Sequence, residues 1–237
     1  MNHPTGRPLV YGHRGARADE PENTLRSFRR AIELGADGIE LDVRVSADGH
    51  LVIIHDAAVD RTTDGSGEIA SLALADIQAL DAGQGERIPT FEEAMAVCTV
   101  PVQIEIKAFE SVAALAERDR HTPLPDGVVL TSFSERAVEE AARLLPHVPR
   151  GLITHHPGDD MLARALDLKA DWVCPELKPG LDRALVEKCH AASVRVDAWP
   201  AADEEKARMF AEIGADAVTT DFVAAAREWL APGRQPA

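Results

Sequence analysis

Gly38-Ile39-Glu40-Leu41-Asp42-Val43-Arg44-Val45 is the stretch from which the fold can be read. Its aliphatic, mostly β-branched side chains at every second position predict a strand. Side chains alternate faces along a strand, so Ile39, Leu41 and Val43 share one face while Glu40 and Asp42 share the other. The apolar face asks for a layer of helices. The acidic face asks for an interior that can use two carboxylates. Asp48-Gly49 follows as a hairpin-type turn signal, so the run Leu51 to Ile54 either extends this strand or pairs with it.

Working outward, the same kind of short apolar run recurs. Further strands are predicted at Leu9-Val10-Tyr11, Val100 to Lys107, Val128 to Thr131, Gly151 to Thr154, Asp171 to Cys174, Val194 to Trp199 and Ala217 to Thr220. Amphipathic stretches lie between them, among them Thr24 to Leu34, Glu135 to Leu145, Leu181 to Ala192 and Asp203 to Ile213. Strands that alternate with helices run parallel. Eight such units in 237 residues predict an α/β fold of the (β/α)₈ TIM-barrel type, with an open doubly wound sheet as the alternative. The long irregular stretch from about 56 to 89, with one short helix near Leu74 to Leu80, is a small insertion after the second strand. No linker-like segment interrupts the chain, so residues 1–237 are expected to form a single domain.

Composition narrows the partners. The hydrophobic fraction is 45%, enough for a sizeable core. A formal net charge of -15 opposes nucleic acid and anionic membranes, which call for a basic footprint. An anionic substrate would need local positive charge, and a bound cation provides it most directly. The three cysteines, Cys98, Cys174 and Cys189, show no metal or disulfide spacing and read as small core residues in a reducing compartment. Met1 to Pro8 lacks the apolar region of a signal peptide, and no apolar run is long enough to span a bilayer. The expected location is cytoplasmic. The oligomeric state is not legible.

The chemistry gathers on the inward faces and at strand ends. Glu40 and Asp42 repel each other unless neutralised. A divalent cation would do this, and so would hydrogen bonds to backbone or to an arginine such as Arg44. In Val102-Gln103-Ile104-Glu105-Ile106-Lys107 the same alternation turns Glu105 and Lys107 inward. They form either a structural pair or a third metal ligand beside a phosphate-binding ammonium. Three carboxylates with no soft donor favour a hard cation, Mg²⁺ or Ca²⁺, with Mn²⁺ also accommodated. His13 and His55 each follow an apolar run, which puts both at the C-terminal barrel face where active sites gather. Two imidazoles suit one acid and one base near neutral pH. Asp56 either orients an imidazole or caps the loop. Arg14 offers a planar fork for phosphate oxygens.

Taken in order, these pieces form a pattern. His13-Arg14-Gly15, Pro21-Glu22-Asn23-Thr24, Gly35-Ala36-Asp37, Glu40-Leu41-Asp42-Val43, Asp48-Gly49 and His55-Asp56 resemble the glycerophosphodiester phosphodiesterase family. The likeness continues through Arg61-Thr62-Thr63-Asp64-Gly65-Ser66-Gly67, Ile88-Pro89-Thr90-Phe91, Glu105-Ile106-Lys107, Ser132-Phe133, Trp199 and Thr220-Asp221, so it spans nearly the whole chain. The resemblance implies a (β/α)₈ barrel with a small insertion after the second strand. It implies hydrolysis of a small-molecule glycerophosphodiester to sn-glycerol 3-phosphate and an alcohol. It further implies His13 and His55 as the acid–base pair, Glu40, Asp42 and Glu105 as ligands of one divalent cation, and Arg14 and Lys107 as phosphate contacts. By the same resemblance Glu22 and Asn23 support the site and Trp199 walls the glycerol. Pro200-Ala201-Ala202 and Phe222-Val223 depart from the family's usual runs, on the side where an alcohol headgroup would sit.

Two competing readings remain open. One is a lysophospholipase D-like phosphodiesterase, and the other is a barrel that binds a phosphorylated metabolite without turnover. His155-His156-Pro157 reads as a solvent-exposed loop pair rather than a substrate contact. Glu176 is either a site residue or a rim charge, and Ser132 has no partners at nucleophile spacing. Short loops after the later strands predict an open site without an elaborate lid.

Overall fold

The computed structural model describes residues 7–231. The readings placed on Met1 to Pro8 and on a loose tail from Ala231 lie almost wholly outside them. The chain runs through Leu9–His13 (β1), Leu25–Glu33 (α1), Gly38–Val45 (β2), Leu51–Ile53 (β3), Leu74–Gln78 (α2), Phe91–Val97 (α3) and Val102–Ile106 (β4). It continues through Glu110–His121 (α4), Val128–Ser132 (β5), Glu135–Leu144 (α5), Arg150–Thr154 (β6), Asp159–Asp167 (α6) and Trp172–Pro175 (β7). The last elements are Arg183–Ala191 (α7), Arg195–Ala198 (β8), Glu204–Ile213 (α8), Ala217–Thr220 (β9) and Val223–Trp229 (α9).

The strands follow the order β1-β9-β8-β7-β6-β5-β4-β2, and β1 pairs with β2 to close the ring. All eight pairings around the ring are parallel. The fold is therefore a TIM barrel rather than an open sheet. β3 lies outside the ring and pairs antiparallel with β2, Val43 opposite Ile53, so the run after Asp48-Gly49 returns as a hairpin. Closure next to β2 needs room. A Cβ on Gly38 would lie 2.4 Å from the Tyr11 ring, which packs where a side chain would otherwise project.

The strand alternation has its predicted consequence. Ile39, Leu41, Val43, Val102, Ile104 and Ile106 are buried in one cluster with Phe28 and Ala31 of α1, Phe91 of α3 and Leu115 of α4. Each large side chain removed from water contributes roughly 1.5–3 kcal/mol. Helix starts are set by side-chain oxygens that accept otherwise orphaned N–H groups. Thr24 accepts from Ser27, Ser134 from Ala137, Asp182 from Leu185 and Asp203 from Lys206. Thr90 and Glu93 cap α3 reciprocally.

The stretch between β3 and α3 carries a 3₁₀ turn at Ile69–Ser71 and α2. It is not merely loop. Val59, Ile69, Ile77, Ala82 and Ile88 bury together with Val52 and Ile54 in a second, smaller cluster. Among the described residues, no helix is long and apolar enough to cross a membrane.

Candidate active site

Strand register assembles the site. Asp42 of β2 stands opposite Glu105 of β4, and His13 of β1 stands opposite Glu40 of β2. His13 is thus the last residue of its strand rather than a loop residue beyond it. One ligand atom from each of Glu40, Asp42 and Glu105 lies within 4.8 Å of the others. All three residues are buried. Burial first, then the charges of Asp42 and Glu105, raises the Glu40 carboxyl well above the ordinary carboxylate range. Burial and Asp42 raise Glu105 likewise, against the opposing Lys107. Asp42 Oδ1 is buried without a hydrogen bond, and Lys107 Nζ stands 3.3 Å from it. Crowded, under-neutralised oxygen ligands of this kind fit a hard divalent cation. Arg44 is not hydrogen-bonded to the pair; its Nε donates to the His55 carbonyl at 2.9 Å instead.

The turn after β1 explains His13-Arg14-Gly15. Arg14 is left-handed (φ 54) and Gly15 is too (φ 86). A Cβ on Gly15 would sit 2.7 Å from the Ser27 backbone, so glycine lets the turn lie against α1. The turn aims the Arg14 backbone N–H at Glu40 Oε2, 3.0 Å away. The guanidinium reaches Glu22 at 2.7 Å and Asp42 at 3.3 Å. Asn23 Nδ2 donates to Asp42 Oδ2 at 2.7 Å. Burial opposes ionisation of Glu22, but Arg61 and Arg14 outweigh it and bring its pKa down to about 2. Glu22 and Asn23 thus stand behind the cluster, bonded to Arg14 and Asp42 respectively.

Each histidine is backed by a carboxylate. His13 Nδ1 lies 2.6 Å from Asp221 Oδ1, and His55 Nδ1 lies 2.6 Å from Asp56 Oδ1. Asp56 therefore orients an imidazole. Burial lowers the His55 pKa, and the Lys107 and Arg14 charges add to that effect against Asp42 and Asp56. Lys107 Nζ is 2.6 Å from Glu105, the structural pair that the sequence admitted, and it also faces the cavity.

His13, Arg14, Glu40, His55, Glu105 and Lys107 line one cavity of about 290 Å³. Its opposite wall is Phe133, His155 and Trp199. The Phe133 and His155 rings stack at 4.6 Å, and Trp199 meets their edges at 6.0 and 5.6 Å. Trp199 Nε1 donates to the Cys174 carbonyl at 2.8 Å, which holds the indole in place. Here the structure adds to the sequence reading. His155 is solvent-exposed as expected, yet it is also a wall of the cavity, fixed by Glu176 at 2.8 Å. Cys174 is small and buried, but it lines the cavity as well. Asp221 and Phe133 sat in recognisable motifs without an assigned role. A usable signal existed for Asp221, a charge just past the strand that closes on β1.

Below this layer Asp197 of β8 is buried. Its Oδ2 accepts from Thr219 at 2.9 Å, and Oδ1 makes no hydrogen bond. Burial pushes its pKa up to about 7, against the opposing Thr219 and Gln103 contacts. An unfolded aspartate titrates near about 3.9. A raised folded pKa means that this group's contribution is fully present below that value and is lost as pH rises through about 7. With each tenfold in proton affinity worth about 1.4 kcal/mol, the loss reaches about 4 kcal/mol. Asp197→Asn is therefore expected to flatten the fall in unfolding free energy between roughly pH 4 and pH 7. Parallel denaturant titrations check this, and an unchanged slope would refute it.

Comparison with known proteins adds to this geometry. Residues 13–225 match the sequence pattern of the glycerophosphoryl diester phosphodiesterase family. A glycerophosphodiester phosphodiesterase of Caldanaerobacter subterraneus subsp. tengcongensis is 35% identical over 228 residues, covering 90% of this chain and 93% of that protein. A putative glycerophosphodiester phosphodiesterase of Bacillus subtilis is 32% identical, covering 90% and 94%. Among solved structures, an Oleispira antarctica phosphodiesterase in complex with the product sn-glycerol-3-phosphate superposes with a TM-score of 0.87. It is 31% identical and covers 94% of this chain and 96% of that one.

Proposed function

Because the chain belongs to the glycerophosphoryl diester phosphodiesterase family, we propose that it hydrolyses glycerophosphodiesters to sn-glycerol 3-phosphate and an alcohol with one divalent cation and a histidine pair. That it is a glycerophosphodiester phosphodiesterase follows from its relatives. The observation that supports the finer reading is the buried Glu40–Asp42–Glu105 cluster with its unbonded Asp42 Oδ1, sharing one cavity with two carboxylate-backed histidines. The product bound to the Oleispira antarctica enzyme supports the same substrate class.

Glu40, Asp42 and Glu105 would hold the cation, Mg²⁺ or Ca²⁺ by ligand hardness and Mn²⁺ as a third choice. When bound, it supplies Lewis-acid charge for a phosphate oxygen and a neighbouring hydroxyl. The protein's own groups do the rest. Burial favours the neutral form of His55, which suits it to take the proton from the attacking oxygen. His13 then protonates the leaving alcohol, with Asp221 offsetting the imidazolium charge. Arg14, braced by Glu22, and Lys107 stabilise charge on the phosphoryl oxygens in the transition state. Asn23 holds Asp42 in place. Trp199 and Phe133 exclude water along the glycerol.

We assign this activity to one barrel domain over residues 1–237. A cytoplasmic setting suits its three free cysteines. The test is turnover of a glycerophosphodiester panel beside lysophosphatidylcholine, with sn-glycerol 3-phosphate measured directly. Release of sn-glycerol 3-phosphate from glycerophosphocholine is expected to exceed turnover of the lysolipid. The reverse order would favour a lysophospholipase D-like enzyme, and no product from any diester would favour a binding protein.

A further inference from the structure

We infer that Arg61, carried by the insertion, is a positioning residue that joins the carboxylates behind His55 and Arg14 into one rigid unit. The inference rests on the acid–base reading of His55 above. All three guanidinium nitrogens of Arg61 are used. Nη1 and Nη2 donate to Glu22 at 3.0 and 2.7 Å as a fork, and Nε donates to Asp56 at 2.5 Å. Each of these carboxylates also serves the cavity. Asp56 turns its other oxygen to His55 Nδ1 at 2.6 Å, and Glu22 Oε1 also accepts from Arg14 Nη1 at 2.7 Å. Arg61 is thus bonded both to the partner of His55 and to the partner of Arg14, whereas Arg17 links Glu22 at 3.1 Å to Asp221 behind His13 at the longer distance of 3.6 Å.

The ordinary alternative is a surface ion pair, since the Arg61 side chain is 45% exposed and such pairs contribute little. Two features argue against it. The contact is a bidentate fork within a network, the case in which a guanidinium holds geometry. Its backbone is also fixed from below. Val59 is fully buried in the insertion's own apolar cluster. The Val59 carbonyl accepts from Thr62 N, Thr63 N and Thr63 Oγ1, and Asp60 accepts from Gly67 N at 2.9 Å. The insertion's small core therefore sets where Arg61 stands, and Arg61 sets where Asp56 and Glu22 point. This gives the insertion a role in the geometry of the site without touching substrate.

Arg61→Ala is expected to lower kcat about 10–100-fold, the usual cost of losing an outer partner of a site residue, while Tm changes little. Arg61→Lys keeps the charge but loses the fork, so it should likewise leave Tm little changed without recovering the rate. Added guanidinium should restore part of the Arg61→Ala rate. The double variant Arg61→Ala/Asp56→Asn should be no slower than the slower single variant, because both break one unit. Wild-type kcat in Arg61→Ala, full recovery in Arg61→Lys, or strictly additive losses with Asp56→Asn would each overturn the inference. His55→Ala in the same assay separates the two layers. A fully active His55→Ala sinks the acid–base reading itself, whereas an inactive His55→Ala beside a fully active Arg61→Ala sinks only the role of Arg61.

Discussion

His55→Ala and His13→Ala are each expected to lower kcat by about 10²–10⁴, the range for removal of a positioned acid or base. Both rings line the cavity and both are about 30% exposed at the side chain, so folding should survive the loss. The pH profile separates their roles. His55 works as a base only when neutral. Burial, Lys107 and Arg14 favour that neutral form, so the acidic limb of kcat/KM should lie below the ordinary histidine value of about 6.5. His55→Ala should remove that limb. Asp56→Asn and Asp221→Asn should each cost much of the same rate. In a serine protease the equivalent change behind a histidine costs about 10⁴ by fixing the wrong tautomer. A bell-shaped profile unchanged in both alanine variants would show that these imidazoles are not the acid and base.

Chelation should abolish turnover, and Mg²⁺, Ca²⁺ or Mn²⁺ should restore it. A loss of at least about 10² in rate is expected, since Lewis-acid stabilisation is worth several kcal/mol. Asp42→Asn should give a comparable loss that added cation does not repair. Asp42 is fully buried and receives Asn23, Arg14 and Lys107, so removing its charge leaves two cations under-neutralised as well. Calorimetry provides a second readout. Ligands must be ionised to bind, so cation uptake should release protons from Glu40 and Glu105. Their raised folded pKa values make the chelated protein lose stability as pH rises through them. The Tm gain on adding cation should therefore grow with pH. Full activity in chelator, with no effect of cation on Tm, would remove the metal from the mechanism.

Much of this could be read from local pattern because two periodicities carry it. Period-two alternation in Gly38–Val45 and Val102–Ile106 separated the buried apolar face from Glu40, Asp42 and Glu105. Apolar spacing placed helices at Thr24 to Leu34, Glu135 to Leu145 and Asp203 to Ile213, and in the structure Thr24, Ser134 and Asp203 cap them. Turn chemistry left Leu51 to Ile54 either to extend the second strand or to pair with it, and the structure pairs it antiparallel as β3. Partners distant in sequence were less legible. His13 and Asp221 are 208 residues apart and meet only because β9 closes on β1. His155 carried the loop prior of an exposed histidine. Its place on the cavity wall depends on Phe133 following β5, Trp199 following β8 and Glu176 following β7 all converging on it.

Local pattern was enough for the alternation of strands and helices and for the acidic inward face of β2 and β4, because covalent geometry dictates which way a side chain points within one element. The family resemblance rested on the order of motifs along the chain, and closure of β1 on β2 settled the barrel over an open sheet. Only the tertiary structure decided which charge each group faces. It placed Lys107 on Glu105, turned Arg44 away to the His55 carbonyl, gave each histidine its own carboxylate and drew Arg61 of the insertion across Glu22 and Asp56. Ring closure and packing of the insertion set those contacts, and electrostatic energy depends on separation in space rather than along the chain.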